Sequence, residues 1–182
     1  PRPALAKALA DLKGEGWEEP ELDQHDRRYY HEWSHEVPPM RHGSHPIELD
    51  LHHNILPPLG PVAIDMQTLL ADCVPSNWAG WSVLSPCDQV LHSAAHLFFD
   101  SEPLERVRDL VDLDGLLRHH ACVNEGFWPD LLLRAEQLRL IEPLLLACHF
   151  CSSWLDTPVP SSMHSRIRSA GLAHGLVRQL FS

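Results

Sequence analysis

The sequence predicts an α+β protein, with a small antiparallel sheet in its first third and a mainly helical body after it. Between Tyr29 and Leu56 polar and apolar residues alternate with a period near two, on both sides of a Gly43-Ser44 turn signal. From residue 57 onward apolar residues recur at three- and four-residue spacings, the mark of amphipathic helices. The sixteen prolines break the chain often and keep those helices short. These patterns divide the chain into a small head over residues 1–56 and a helical body over residues 57–182.

The elements follow in order. Residues 3–13 read as a helix: Pro3 is tolerated in a first turn, Leu5, Leu9 and Leu12 form a stripe, and Gly14 and Gly16 stop it. Residues near 30–37 read as a first strand and residues 46–53 as its antiparallel partner. Ile47, Leu49 and Leu51 then point one way, under a helix, and Glu48, Asp50 and His52 the other. Two strands alone are marginal in water, so the sheet needs further strands or a helical cover. Residues 63–72 suit a short helix, and residues 75–85 a loop carrying Trp78 and Trp81. Ser85-Pro86 opens a helix to Phe99, with Ser85 as its cap and Val90, Ala94, Leu97 and Phe98 on its apolar face. Pro103 opens another to about His120, with Leu104, Val107, Val111 and Leu117 turned inward. Residues 129–139, 142–155 and 161–180 read as three more helices.

The chain has 182 residues, 44% of them hydrophobic and 21% charged, an ordinary globular composition. Its formal net charge of −11 gives it no general attraction for a phosphate backbone, so non-specific nucleic-acid binding is not expected. No apolar run approaches the ~20 residues that cross a bilayer, so no membrane partner is expected. The five cysteines show no paired spacing; with no signal peptide visible, a reducing, cytoplasmic setting is the expectation. Cys148 and Cys151 read as core filling within an apolar helix.

Glu48, Asp50 and His52 share one strand face, and carboxylates on a rigid strand suit a hard ion such as Mg²⁺. The same pattern is also what the solvated face of any sheet shows. His31, His35, His42, His45, His52 and His53 invite a zinc site, although no spacing matches a tetrahedral signature. His92 and His96 share a helix face, where they can bind a metal, meet a carboxylate or simply pack. Asp112 and Asp114 look like a carboxylate pair, but residues two apart on a helix diverge by about 200° and cannot hold one ion jointly. No serine elbow, glycine-rich phosphate loop or dinucleotide fingerprint is present.

Four segments together resemble an uncharacterised nucleotidyltransferase family of the DNA polymerase beta-like superfamily. Pro3 to Trp17 resembles the helix that follows the family's Asp-x-Asp strand, and Pro46-Ile-Glu-Leu-Asp50-Leu-His52-His53 resembles its third-carboxylate strand. The stretch from Val83 to Phe98, with His92 and His96, resembles the next helix, and Leu104 to Leu113 the helix packed against it. The family's Gly-Ser pair and Asp-x-Asp carboxylates would fall before Pro1, and His53 stands where the family has an aromatic residue. On this resemblance the chain is the C-terminal part of such an enzyme and does not turn over nucleotides by itself, the sheet being what remains of the catalytic head. The resemblance implies transfer of a nucleoside monophosphate from a nucleoside triphosphate to a hydroxyl of an unidentified acceptor, with Mg²⁺. In that picture Asp50 is catalytic, Asp50 and Glu48 are the metal-site residues, and His52, His92 and His96 give support. A non-catalytic binding or protein-interaction module is the alternative.

Overall fold

Helix α1 spans Arg2–Gly14, and the chain leaves it through Gly16 at φ 89°, a left-handed conformation that suits glycine. A Cβ at Gly16 would stand 2.9 Å from His42 Nε2, so the lack of a side chain also lets the imidazole close over the turn. That nitrogen donates to the Glu15 carbonyl at 2.9 Å, while Nδ1 accepts from Ser44 N at 3.0 Å. His42 is therefore the Nε2–H tautomer, with both nitrogens engaged in joining the helix exit to the hairpin turn.

The computed structural model describes residues 2–99 and 107–170, apart from the side chains of Arg2, Pro3 and His31. Two compact units divide the chain between Gln67 and Thr68. In the first, β1 (Trp17–Glu18), β2 (Met40–His42) and β3 (His45–Leu49) form an antiparallel sheet in that order. The β2–β3 hairpin turns at Gly43-Ser44, with Met40 opposite Leu49 and Arg41 opposite Glu48. Past β3, Glu36 and His52 form an isolated bridge, and Val37 N donates to Leu51 O at 3.0 Å. The expected pairing of the carboxylate strand with residues near 30–37 is thus realised only at its far end.

The chain before that pairing differs from expectation. Gln24–Glu32 is a helix, α2, whose end, from Tyr29 on, falls where alternation suggested strand. Asp23 caps it, its Oδ1 accepting from Asp26 N at 2.8 Å, and Arg28 meets Glu32 one turn on at 3.0 Å. These local bonds favour a helix in a segment with no continuous apolar face. Ile47 is also not covered: it is 59% exposed. The core of this unit is Val37, Met40, Ile55, Leu56 and Ile64; Met40 pairs with Leu49 at the open end of the hairpin, and Ile47 lies nearer its turn.

The second unit is helical. Helix α3 (Met66–Ala71) leads to a short hairpin of β4 (Val74–Pro75) and β5 (Ser82–Val83), whose loop exposes Trp78 and Trp81. Helix α4 (Pro86–Phe99) starts as expected, with Asp88 N donating to Ser85 Oγ at 3.2 Å. It packs on α5 (Val107–Val123), α6 (Phe127–Leu138) and α7 (Ile141–Trp154), and α8 (Ser161–Ser169) packs on α7. Leu91, Leu113, Leu117, Phe127, Leu131, Leu140, Leu144 and Met163 are fully buried, each worth about 1.5–3 kcal/mol of apolar burial. Cys148 and Cys151 are buried among them, and burial pushes the Cys151 thiol up to about 12, so both fill the core.

On α5 the inward stripe is Leu110, Leu113, Leu117 and His120. Val107 and Val111 are exposed, because the 110/113/117 spacing keeps leucines on one face and places the valines on its flank. The expected start at Pro103 with Leu104, and the end of the last helix beyond residue 170, lie outside the described residues.

Candidate functional site

Strand β3 carries Glu48, and Asp50 follows just after its end. Glu48 faces Arg41 across the hairpin, and Arg41 Nη2 meets Glu48 Oε1 at 2.6 Å. Asp50 lies one residue beyond β3, exposed and outside the sheet's hydrogen-bonded register. The two carboxylates therefore differ: one is tied to a cationic neighbour, the other projects where the strand ends.

His52 Nε2 lies 3.2 Å from Glu36 Oε2, so the structure turns this ring toward Glu36, where the family resemblance pointed to Asp50. The His35 ring stands 5.2 Å from that of His52, and His53 is half-buried beside them. Burial pulls the His53 imidazole below its ordinary value, and the two neighbouring histidines add to the effect. Tyr30 is raised, first by burial and then by the charges of Glu36 and other acids that include Asp50. Ligand atoms of His35, Glu36 and His52 all lie within 4.8 Å of one another. Glu36 was not visible as a member of this group from sequence, since only the long-range Glu36–His52 bridge brings it there.

The second unit holds the other predicted residues. His92 and His96 stack edge to face at 4.8 Å on α4 and line a cleft with Ser93, Asp109 and Asp112, the aspartates coming from α5. The packing of α4 on α5 brings these side chains together, and spacings of four and three keep each pair on one helix face. Asp112 is exposed and stands 3.9 Å from Arg108. Asp114 instead accepts from Thr157 Oγ1 at 2.5 Å and from Arg118 Nε at 2.7 Å. The two aspartates diverge as helix geometry requires.

Magnesium needs several oxygen ligands in near-octahedral array. Among the described residues, the groups of three or more ligand side chains are His35/Glu36/His52 and Asp23/His25/Asp26, and neither includes Asp50 or Glu48. With Glu48 held by Arg41, the described residues do not make up a magnesium centre by themselves. Among them, no helix is long and apolar enough to cross a membrane.

A family model described as "Uncharacterised nucleotidyltransferase" matches residues 1–156. No curated protein matches the chain, and no solved structure does.

Proposed function

The chain belongs to this uncharacterised nucleotidyltransferase family, and we propose that it serves the transfer of a nucleoside monophosphate from a nucleoside triphosphate to an acceptor hydroxyl, with Asp50 as the carboxylate it contributes. The observation that carries this reading is the contrast on one strand: Asp50 is exposed beyond β3, whereas Glu48 is engaged by Arg41.

In the reaction the acceptor oxygen forms a bond to the α-phosphorus, the α–β phosphoanhydride bond breaks, and diphosphate leaves. Asp50 orients the hydroxyl and takes up its proton as the bond forms. Divalent metal, when bound, supplies charge stabilisation on the transferring phosphate. The described residues offer Asp50 to such a centre, and the remaining oxygen ligands must come from elsewhere.

The incomplete ligand set around Asp50 also supports a second reading, a module that binds without catalysis. An assay with labelled nucleoside triphosphates and Mg²⁺ separates the two. The complete gene product transfers label to an acceptor on the first reading and binds nucleotide or partner without turnover on the second. The 182-residue chain by itself is expected to stay at the blank; clear turnover by it would overturn the assignment of Asp50 as one part of a shared centre.

A further inference from the structure

Backbone hydrogen bonds fix two distant pieces of the first unit side by side. His53 N and Asn54 N donate to His35 O at 2.9 and 3.1 Å, and Val37 N donates to Leu51 O at 3.0 Å. On a regular strand His35 and Glu36 would face opposite sides. The chain bends at His35, and the two side chains converge with His52 so that one ligand atom from each lies within 4.8 Å of the others.

We propose that His35, Glu36 and His52 form a binding site for one divalent transition-metal ion of the zinc type, separate from the carboxylate role of Asp50. Two imidazole nitrogens and one carboxylate are the donor set of zinc sites that keep a fourth position open. The same set suits magnesium poorly, because that ion takes hard oxygen ligands. Bonds of about 2.1 Å in a tetrahedron put donor atoms roughly 3.4 Å apart. His52 Nε2 and Glu36 Oε2, at 3.2 Å, already stand close to that separation. Burial grades outward from His35 through Glu36 to His52, so an ion here has protein on one side and an open coordination position on the other.

Competing clusters are weaker. Both nitrogens of His42 are engaged by backbone groups. The three residues Asp23, His25 and Asp26 are all exposed, and Asp23 Oδ1 caps α2.

The test is titration of the chelator-treated protein with Co²⁺, followed by its visible ligand-field bands, and then displacement by Zn²⁺. The expected result is one equivalent of Co²⁺ per chain, displaced by one equivalent of Zn²⁺. Glu36→Gln and His52→Gln should each weaken binding at least about tenfold. Neither side chain is fully buried, and circular dichroism shows whether each variant is folded. Asp50→Asn and His25→Ala should bind as the wild type does. No stoichiometric binding by the folded wild type would overturn the proposal, as would undiminished binding by both folded site variants. Loss of binding in Asp50→Asn would overturn the separation of the two sites while leaving the nucleotidyl-transfer reading in place.

Discussion

Arg41 and Glu48 are opposite partners in the β2–β3 hairpin, and their side chains meet at 2.6 Å. This pair explains why two carboxylates on one strand are not equivalent: the charge of Glu48 is answered within the sheet, and that of Asp50 is not part of the ladder. Both members are more than half exposed, so the pair stabilises the hairpin weakly. A double-mutant cycle with Arg41→Ala and Glu48→Ala should give a coupling of about 1 kcal/mol or less, decreasing with added salt. Coupling of several kcal/mol would mean that the pair orders more than the hairpin.

A very different pair sits in the helical unit. Asp88 is fully buried and accepts two hydrogen bonds from Arg134, at 2.7 and 2.9 Å. Arg134 also donates to Thr68 O at 3.0 Å and meets Asp72 at 2.6 Å, so it ties α3, α4 and α6 together. The hydrogen bonds with Asp88, more than any other interaction, raise the Arg134 guanidinium above its ordinary value. Asp88→Ala leaves the buried guanidinium with only the half-exposed Asp72 and the Thr68 carbonyl, and should cost about 3 kcal/mol in urea denaturation. A loss below about 1 kcal/mol would show that Asp72 and water replace the missing partner.

His120 makes this unit sensitive to acid. The ring is buried, with Nε2 3.3 Å from Gln89 Oε1 and its centroid 5.6 Å from that of Phe127. Burial, followed by the neighbouring His119, lowers its folded-state pKa below the ordinary value. Above about pH 6.5 the ring is neutral in folded and unfolded chains alike. Below it the unfolded ring takes a proton more readily, so stability falls as pH drops from there toward the lowered folded pKa. The stability difference between wild type and His120→Gln should be constant above neutrality and shift against the wild type over that acid interval. Parallel curves across the interval would remove His120 as the cause.

Local signals made much of the fold legible. Ser85 caps α4, and Gly43-Ser44 forms the hairpin turn, because capping and turn chemistry act within a few residues. Helix α2 was not legible as a helix, since Gln24–Glu32 has no apolar stripe and the alternation from Tyr29 onward resembles a strand; the Asp23 cap was the overlooked signal. On α5 an inward face chosen by apolarity admitted Val107 and Val111, whereas packing selects Leu110, Leu113 and Leu117. Within the candidate sites, the exposure of Asp50 matches the sequence reading, but it comes from the strand ending at Leu49 and not from alternation, since Ile47 on the expected inward face is exposed as well. The approach of Glu36 to His52, and of Asp109 and Asp112 to the α4 histidines, depends on tertiary contacts that no local pattern encodes.

The central claim is that Asp50 carries the chemistry this chain contributes. The most direct measurement is the rate of nucleoside monophosphate transfer at saturating Mg²⁺ in the complete gene product, for Asp50→Asn, Glu48→Gln and Asp112→Asn, each checked for folding by circular dichroism. Losing a charge from a phosphoryl-transfer transition state costs several kcal/mol, so Asp50→Asn should be slower by on the order of 10²-fold or more. Glu48→Gln and Asp112→Asn should stay within a few-fold of wild type, because their charges are engaged by Arg41 and Arg108. A folded Asp50→Asn protein with the wild-type rate, or a folded Asp112→Asn protein without activity, would contradict the account.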